Sequence, residues 1–474
     1  MKSKTKFSLY TFAYAVLYSF CLYKNLGGAT FPFFVIGTLC YMQACIKEFG
    51  LTLKKDSILY MIGLVLIGFS QVLTANPVIQ ILNFLVVSGF ILWLIIHNFN
   101  DDDEWNFFTI AINLIVSLAN SFLKMFTPFK DWRMSKKEGA ESDTDKKASF
   151  PIASVLVAVI ITIPFLSIVI LLLSSSDFIF RDWVSRFFKF DWISDLKLGA
   201  IFLCIIAFLT MYGLISFSKA KVLNNLNPKI KGNPAGAITT AVMYDVVYLI
   251  FSFIQIFYLF IGNFSLPEGT SYAVYARSGF FELLFVCLLN VVLVLIGMSF
   301  FEDNKLLKIL LTIMCACTYI MTASSAFRMI LYIRYYYFTF LRISVLWALV
   351  LIFVLITGLL VYIWYPKFKL TRFMFSSALV LYIVLSFSRV DYLIAKWNLA
   401  QTQNPSNTFF YNEKGFMDYE FLIFELCDDA APVLLDDSTV NAKFPEYREA
   451  LQEKTFSVRK FNISEFVAHN KALH

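Results

Sequence analysis

Charged residues are scarce in this chain of 474 residues: they make up 15% of it, whereas a soluble domain holds about a quarter. Hydrophobic residues reach 59%, and the mean hydropathy is +0.70. This composition excludes an ordinary soluble domain and indicates a membrane protein. The net charge of +7 does not indicate a nucleic-acid partner, because basic loops are the usual cytoplasmic mark of membrane proteins.

Residues that bind metals or carry out catalysis are few or scattered. The chain has three His, and seven of its eight Cys lie in apolar runs, where Cys acts as a small hydrophobic residue. Cys315 and Cys317 lack the two-residue spacer of common zinc and redox motifs. The phosphate loop, H-E-x-x-H and G-x-S-x-G motifs do not occur. We therefore expect no metal, cofactor or catalytic residue.

An acidic run at 101–104 has two interpretations. Several carboxylates could bind a divalent cation, because hard cations prefer oxygen ligands. A solvated acidic loop at the membrane surface is the simpler explanation, and it is the one we adopt.

Apolar runs long enough to cross a bilayer follow one another from Phe7 to Phe387, since a span needs about 20 mostly apolar residues. They predict an all-α, polytopic transmembrane bundle of about eleven spans, with a range of ten to twelve. The predicted spans are 7–23, 31–46, 57–74, 78–97, 150–174, 198–217, 237–261, 279–300, 306–326, 343–364 and 373–387. The segment 105–126 is apolar on average but contains Asn and Ser, and it fits either a span or an interfacial helix.

Composition divides the chain into a membrane domain, 1–389, and a C-terminal extramembrane domain, 390–474. The membrane domain comprises N-terminal helices at 1–126, a hydrophilic loop at 127–148 and a core at 149–389. Within the core, 177–195 has the spacing of an amphipathic helix, which fits a helix in the membrane plane or an ordinary connecting helix. The C-terminal domain, called the tail below, has an acidic excess and predicts a small helical domain able to rest on the ends of the spans.

Basic residues cluster in alternate loops, and short cytoplasmic loops gather Lys and Arg. The clusters are 2–6, 47–55, 124–147, 219–231 and 367–372. If all are cytoplasmic, the N-terminus is inside, the tail is outside and 105–126 does not span the membrane.

Ionisable residues inside spans are costly, so each is a candidate for function. The candidate polar site comprises Asp245, Arg277, Glu282, Arg328 and Arg334. The functional interpretation is a pocket in which Glu282 and Arg328 flank a bound headgroup or ion. The structural alternative is that the two charges pair and only fix helix packing. Asp245 could relay a proton or cation, or could simply hydrogen-bond a neighbouring Tyr.

Two blocks of sequence are distinctive. They are 272–283, YAVYARSGFFEL, and 325–342, which begins SAFRMILY. Two further blocks, 391–399 and 428–432, are less distinctive. These blocks resemble a bacterial membrane family called domain of unknown function four-one-seven-three, related to four-one-five-three. The resemblance implies a multi-pass protein of the bacterial cytoplasmic membrane with no assigned activity, and it places Glu282 and Arg328 in the defining blocks.

Two functions remain in competition. The first is a non-enzymatic sensing, scaffolding or accessory role in which the tail meets a protein partner. The second is a transporter or lipid-handling protein whose polar pathway passes Glu282, Arg328 and Asp245. Transporters often show repeats and broken helices; here we find no convincing repeat, and few Pro and Gly residues, Pro164 and Gly297 among them, interrupt the later spans. The sequence therefore favours the first, with the lipid bilayer as a further partner and no nucleic acid.

Overall fold

The computed structural model describes residues 2–103, 105–128, 198–220, 223, 231–257, 279–402 and 419–474. These residues form helices and turns, with one isolated bridge between Gly232 and Phe301. The predicted all-α class is therefore confirmed. The helices, numbered within this part of the chain, are α1 (Lys2–Leu22), α2 (Phe31–Glu48), α3 (Ser57–Leu73), α4 (Pro77–Phe99), α5 (Phe107–Leu123), α6 (Leu198–Lys219), α7 (Pro234–Gln255), α8 (Phe280–Phe300), α9 (Lys305–Tyr336), α10 (Phe340–Trp364), α11 (Leu370–Phe387), α12 (Val390–Thr402), α13 (Ala431–Leu434), α14 (Ser438–Lys443), α15 (Pro445–Gln452) and α16 (Ile463–Leu473).

Asparagine begins many of these helices. The side chains of Asn76, Asn106, Asn233, Asn304 and Asn462 each accept a hydrogen bond from a backbone N–H of the first helical turn. Such a cap satisfies one of the donors that a helix N-terminus leaves without an intrahelical partner. Two of these Asn are followed by Pro, whose fixed φ suits the first position of a helix. The caps therefore fix where the long apolar helices start.

Seven described helices are long and apolar enough to cross a membrane: α4 and α6 to α11. Helices α3 and α5 are shorter apolar helices of 17 residues each. The chain is thus a multi-pass membrane protein. The predicted span at 150–174 and the predicted amphipathic helix at 177–195 lie outside the described residues.

Helix α9 runs to Tyr336, ten residues beyond the predicted end of its span at 326. Neither Gly nor Pro occurs between those positions to end it. Its 32 residues correspond to about 48 Å, longer than the roughly 30 Å hydrocarbon core. Arg328 and Arg334 therefore lie within one continuous helix.

The ends of the helices meet at two opposite ends of the bundle. At one end, which we call the lysine-rich end, Lys54 pairs with Asp102 and the Phe49 ring contacts that of Phe99. Lys219 lies over the same Phe49 ring, 4.2 Å from its centroid. At the other, the tail end, the tail packs on the turns α1–α2 and α3–α4. Successive turns between helices thus lie at alternate ends of the bundle, as the clusters of basic residues predict.

Helix α5 begins and ends near the lysine-rich end. Phe108, in its first turn, lies 5.2 Å from Phe300 at the end of α8. Beyond its last turn, Lys124 lies 4.8 Å from the Phe217 ring near the end of α6. Its buried side is polar, including Asn113, whereas its apolar side is exposed. The contacts favour an interfacial helix over a span for this segment.

The tail is helical, as predicted, between 419 and 474. Its first helix, α12, follows α11 after Ser388 and Arg389. Small helices then pack around Leu422, Leu434 and Val440, which are buried. Residues 403–418, which contain Pro405 and Gly415, lie outside the described part.

Candidate functional site

The structure separates the residues predicted to form one polar site. Asp245 is buried in α7, and Arg328 is half-buried in α9. Glu282 and Arg334 are exposed. Arg277 lies outside the described residues.

Buried polar residues form a continuous band between α7, α8 and α9. On α7 they recur at spacings of seven and three residues, which keeps them on one side of the helix. We call this band the polar seam: Asp245, Ser252 and Gln255 on α7, Asn290 on α8, and Thr318, Ser324 and Arg328 on α9. Polar residues inside a bundle usually hydrogen-bond across helices.

Most of the seam follows that rule. Ser324 Oγ donates to Gln255 Oε1 at 2.6 Å, and Arg328 Nη2 donates to the same oxygen at 3.3 Å. Asn290 Nδ2 donates to Thr318 Oγ1 at 2.9 Å. The amide of Gln255 therefore joins α7 to α9 near the tail end of the bundle.

The predicted ion pair between Glu282 and Arg328 does not form in the described part of the structure. Glu282 lies in the first turn of α8, on an exposed side that also carries Phe281 and Phe285. Arg328 lies instead against Gly279, the N-cap of α8, where an added Cβ would be 2.8 Å from Nη1. Gly279 has a φ of +83°, which also favours glycine. The two side chains thus point to different surroundings.

Asp245 makes no hydrogen bond across helices in the described structure. Its side chain is 3% exposed, and neither carboxylate oxygen has a hydrogen-bond partner in the described structure. The alternative of a hydrogen bond to a neighbouring Tyr is therefore not realised there. Tyr248, the nearest Tyr along this side of α7, is buried beside Cys287 in the core of these helices.

A second polar cluster lies at the lysine-rich end around His97, which is 1% exposed. Its Nδ1 lies 2.5 Å from Asp102 Oδ2, and its Nε2 lies 3.2 Å from Asp56 Oδ1. Lys54 and Arg372 complete the cluster through ion pairs of 2.8 Å with Asp102 and 3.1 Å with Asp56. An imidazole can donate to two carboxylates only when both nitrogens carry protons.

The carboxylates of this cluster are held in the ionised form. Burial disfavours the charge of Asp102, but the hydrogen bond and charge of His97, together with Lys54, hold the pKa of Asp102 below its usual value. Burial likewise opposes the charge of Asp56, and His97 and Arg372 outweigh it, so the pKa of Asp56 is lowered. The acidic run is therefore not simply a solvated loop, because Asp102 is part of a buried network and Asp103 pairs with Arg372 at 2.6 Å.

A cavity of about 270 Å³ adjoins this cluster. His97, Asp102 and Arg372 line it on one side, and Trp105 and Ile110 on another. Within the described residues, no group of His, Cys, Asp and Glu is placed to hold a metal ion. The sequence contained one signal for this cluster: His97 is the only His outside the tail, and it ends a span just before the acidic run.

A third cluster joins the tail to the bundle. Asp429 accepts hydrogen bonds from Thr74 Oγ1 at 2.5 Å and from Ala75 N at 2.9 Å. Asp391 Oδ2 accepts from Asn76 Nδ2 at 2.9 Å. Asn462 Nδ2 donates to the Thr74 carbonyl at 2.8 Å. Three tail residues therefore hold the short turn between α3 and α4.

The neighbouring turn between α1 and α2 is bound in the same way. Asn25 Nδ2 donates to the carbonyl of Arg459 at 2.7 Å, and the Arg459 guanidinium donates to the carbonyl of Tyr23. Burial raises the pKa of Asp391, although hydrogen bonds from Cys427 and Asn76 act against that rise. The tail is therefore docked through buried polar contacts, not only through apolar surface.

A family model described as "Domain of unknown function (DUF4153)" matches residues 61–436, well over half of the chain. The chain belongs to the DUF4153 family. Its number differs from four-one-seven-three, the family that the sequence blocks resemble. No curated protein and no solved structure matches the chain.

The DUF4153 segment begins within α3 and ends in the tail, just after α13. It contains His97 and Asp102 of the lysine-rich end, Asp245 of the seam, and both Asp391 and Asp429 of the tail. Asn462 and Arg459, which also bind the turns, lie beyond it. The family segment therefore includes part of each polar cluster, and Lys54 and Asp56 of the lysine-rich end precede it.

Proposed function

We propose that this membrane protein has a non-enzymatic sensing or scaffolding role, in which the tail presents a surface to a protein partner. The observation that carries the proposal is the docking of the tail on the turns α1–α2 and α3–α4 by Asp391, Asp429 and Asn462. Because these contacts are buried, a shift of α3 or α4 displaces the tail surface with it. A partner bound there would detect the state of the membrane helices.

The same proposal includes an orientation in a bacterial cytoplasmic membrane. The lysine-rich end is cytoplasmic because basic loops are retained on that side, which places the N-terminus inside and the tail outside. A reporter that is active only in the cytoplasm, fused after His474, is expected to stay silent, whereas the same reporter inserted in the loop 130–147 is expected to be active. Activity of the His474 fusion would contradict the orientation.

The partner surface can be tested by crosslinking in cells. Val458 and Phe424 in the tail are 93% and 74% exposed. A photo-crosslinking residue at either position is expected to give one discrete protein adduct. The control places it at Tyr365, which is 57% exposed near the lysine-rich end. The absence of an adduct at both tail positions, with the tail intact, would contradict the scaffolding role.

The polar seam supports a second candidate function, transport or lipid handling. Asp245 is an ionisable residue buried within a candidate span, and such residues commonly mark ion and substrate pathways. The pathway would run along α7 and α9 from Asp245 to Arg328, with Glu282 at its margin. Flux of a charged solute into proteoliposomes, lost on Asp245→Asn, is the measurement that supports it.

A further inference from the structure

We propose that Asp245 is a proton-binding site within the membrane, held as the neutral acid in the resting protein and reached from the lysine-rich end. The inference rests on the second function proposed above, transport, and it identifies the transported species as a proton. It depends on three features: the surroundings of the carboxylate, a cavity that leads toward it, and the small number of oxygen ligands around it.

The surroundings of Asp245 favour the uncharged form. Within the described residues, the titratable groups that face this region are Tyr248 on its own helix, Cys315 and Cys317 on α9, and Cys287 on α8. None of them carries a positive charge. An ionised carboxylate buried without a hydrogen bond or a countercharge is strongly disfavoured.

The cation of the seam is distant from Asp245. Arg328 donates to Gln255, which lies ten residues further along α7, or about 15 Å at the rise of an α-helix. Arg328 therefore neutralises little of a charge at Asp245. With no nearer cation among the described residues, a proton on the carboxylate itself would remove that charge.

A cavity of about 180 Å³ leads toward this carboxylate. It extends from Gly236 and Phe301, at the lysine-rich end, to Tyr244 and Met314. Asp245 itself does not line the cavity, which ends at Tyr244, one residue before the buried acid. A space of this volume can hold several waters, and the hydroxyls of Thr240 and Tyr244 offer them polar partners. Water in the cavity would carry a proton from the lysine-rich end to the turn of α7 that holds Asp245.

The ligand chemistry favours a proton over a metal cation. Ca²⁺ takes six to eight oxygen ligands, and Mg²⁺ requires a near-octahedral set. Asp245 provides one carboxylate, and its titratable neighbours are thiols and a phenol. Among the described residues, no group of three or more His, Cys, Asp and Glu is placed to form such a site.

Dicyclohexylcarbodiimide tests the protonation state directly. The acid proton adds to one carbodiimide nitrogen and the carboxylate oxygen to the central carbon; the O-acylisourea then rearranges to a stable N-acylurea. The reaction is an addition, so the protein gains the mass of one whole reagent molecule, and it requires the protonated acid. The full-length protein in lipid nanodiscs would be treated at neutral and at alkaline pH and mapped by peptide mass spectrometry.

We expect Asp245 to be labelled at neutral pH and to lose that label at alkaline pH. Asp245→Asn should remove the label, whereas Asp436→Asn, which alters an exposed carboxylate of the tail, should leave it unchanged. Because Asn mimics the neutral acid, Asp245→Asn should melt at the same temperature as the native protein at neutral pH and at a higher temperature at alkaline pH. A protein that is unlabelled at Asp245 while Asp245→Asn melts lower at every pH would overturn the proposal.

Proton flux separates this site from the transport function. Proteoliposomes enclosing a pH-sensitive dye would be subjected to a pH step, with native protein and with Asp245→Asn. Labelling of Asp245 without any protein-dependent flux would retain the proton site and reject transport. Flux that persists in Asp245→Asn, with Asp245 unlabelled, would reject the proton site and retain transport.

Discussion

Thr74 donates its hydroxyl hydrogen to the carboxylate of Asp429 across 355 residues of sequence, and both side chains are fully buried. Thr74 ends α3 at the tail end of the bundle, and Asp429 lies in the tail. The membrane domain and the tail are therefore joined by a buried polar contact. Their stabilities are expected to depend on each other.

Asp429→Ala tests this dependence. The change leaves the hydroxyl of Thr74 and the N–H of Ala75 without their acceptor. A hydrogen bond to a charged group contributes about 1.5–3 kcal/mol, and a donor left buried without a partner is costly. We therefore expect a clearly lower melting temperature in detergent and faster proteolytic removal of the tail.

The matched control is Asp436→Ala. Asp436 is also in the tail, but it pairs with Lys471 at an exposed site, where ion pairs contribute little. An equal loss of stability in both variants would show that docking through Asp429 has no special role.

The network at the lysine-rich end predicts a dependence on acid pH. The folded-state pKa of Asp102 lies below its usual value of 3.8, so the ionised carboxylate stabilises the fold above that value. The contribution is lost as the pH falls through the folded-state pKa. The melting temperature of the native protein should therefore fall steeply below about pH 4.

Asp102→Asn should melt lower than the native protein at neutral pH and should show a shallower fall in acid. Asp103→Asn serves as the control because Asp103 is 69% exposed. It is expected to keep the steep acid dependence. A native acid profile in Asp102→Asn would exclude a stabilising role for the pair with His97.

Sequence alone predicted the parts of this molecule that depend on length and hydropathy. The apolar runs gave the helices, and the basic clusters gave the alternation of their ends. It did not predict which polar groups meet, because that depends on how helices rotate and approach in space. Arg328 was paired with Glu282 from their positions, but the first turn of α8 turns Glu282 outward and leaves Gly279 to contact Arg328. Asp391 and Asp429 lie far along the chain from the α3–α4 turn that they bind, and no local sequence pattern indicates that contact.

The hydrogen bonds of the polar seam predict which residues are energetically coupled. Gln255→Leu removes the oxygen that accepts from both Ser324 and Arg328 and should cost about 1–3 kcal/mol. Glu282→Gln, on an exposed side, should change the free energy of unfolding by less than about 0.5 kcal/mol.

Double-mutant cycles in detergent make the comparison quantitative. Arg328→Gln should be non-additive with Gln255→Leu, since residues in one network couple by about 0.5–3 kcal/mol. With Glu282→Gln it should be additive. A strong coupling between Glu282 and Arg328 would restore the ion pair that the sequence predicted.

The turn between α9 and α10 depends on a residue of the tail. Asn398 is 1% exposed, and its amide both accepts from Phe338 N at 2.9 Å and donates to Phe338 O at 3.0 Å. Just before it, Tyr337 has a φ of +65°, a conformation that non-Gly residues adopt at a cost. The amide of Asn398 thus holds α12 against a strained turn.

Asn398→Ala should therefore lower the melting temperature and speed amide hydrogen exchange in α12, because two backbone groups lose a buried partner, at about 1–3 kcal/mol in total. Lys396→Ala, at an exposed position of the same helix, should change neither. Tyr337→Gly in the Asn398→Ala background should recover part of the loss, since glycine adopts a positive φ without strain. If the double variant is no more stable than Asn398→Ala alone, Asn398 acts by packing and not by holding the strained turn.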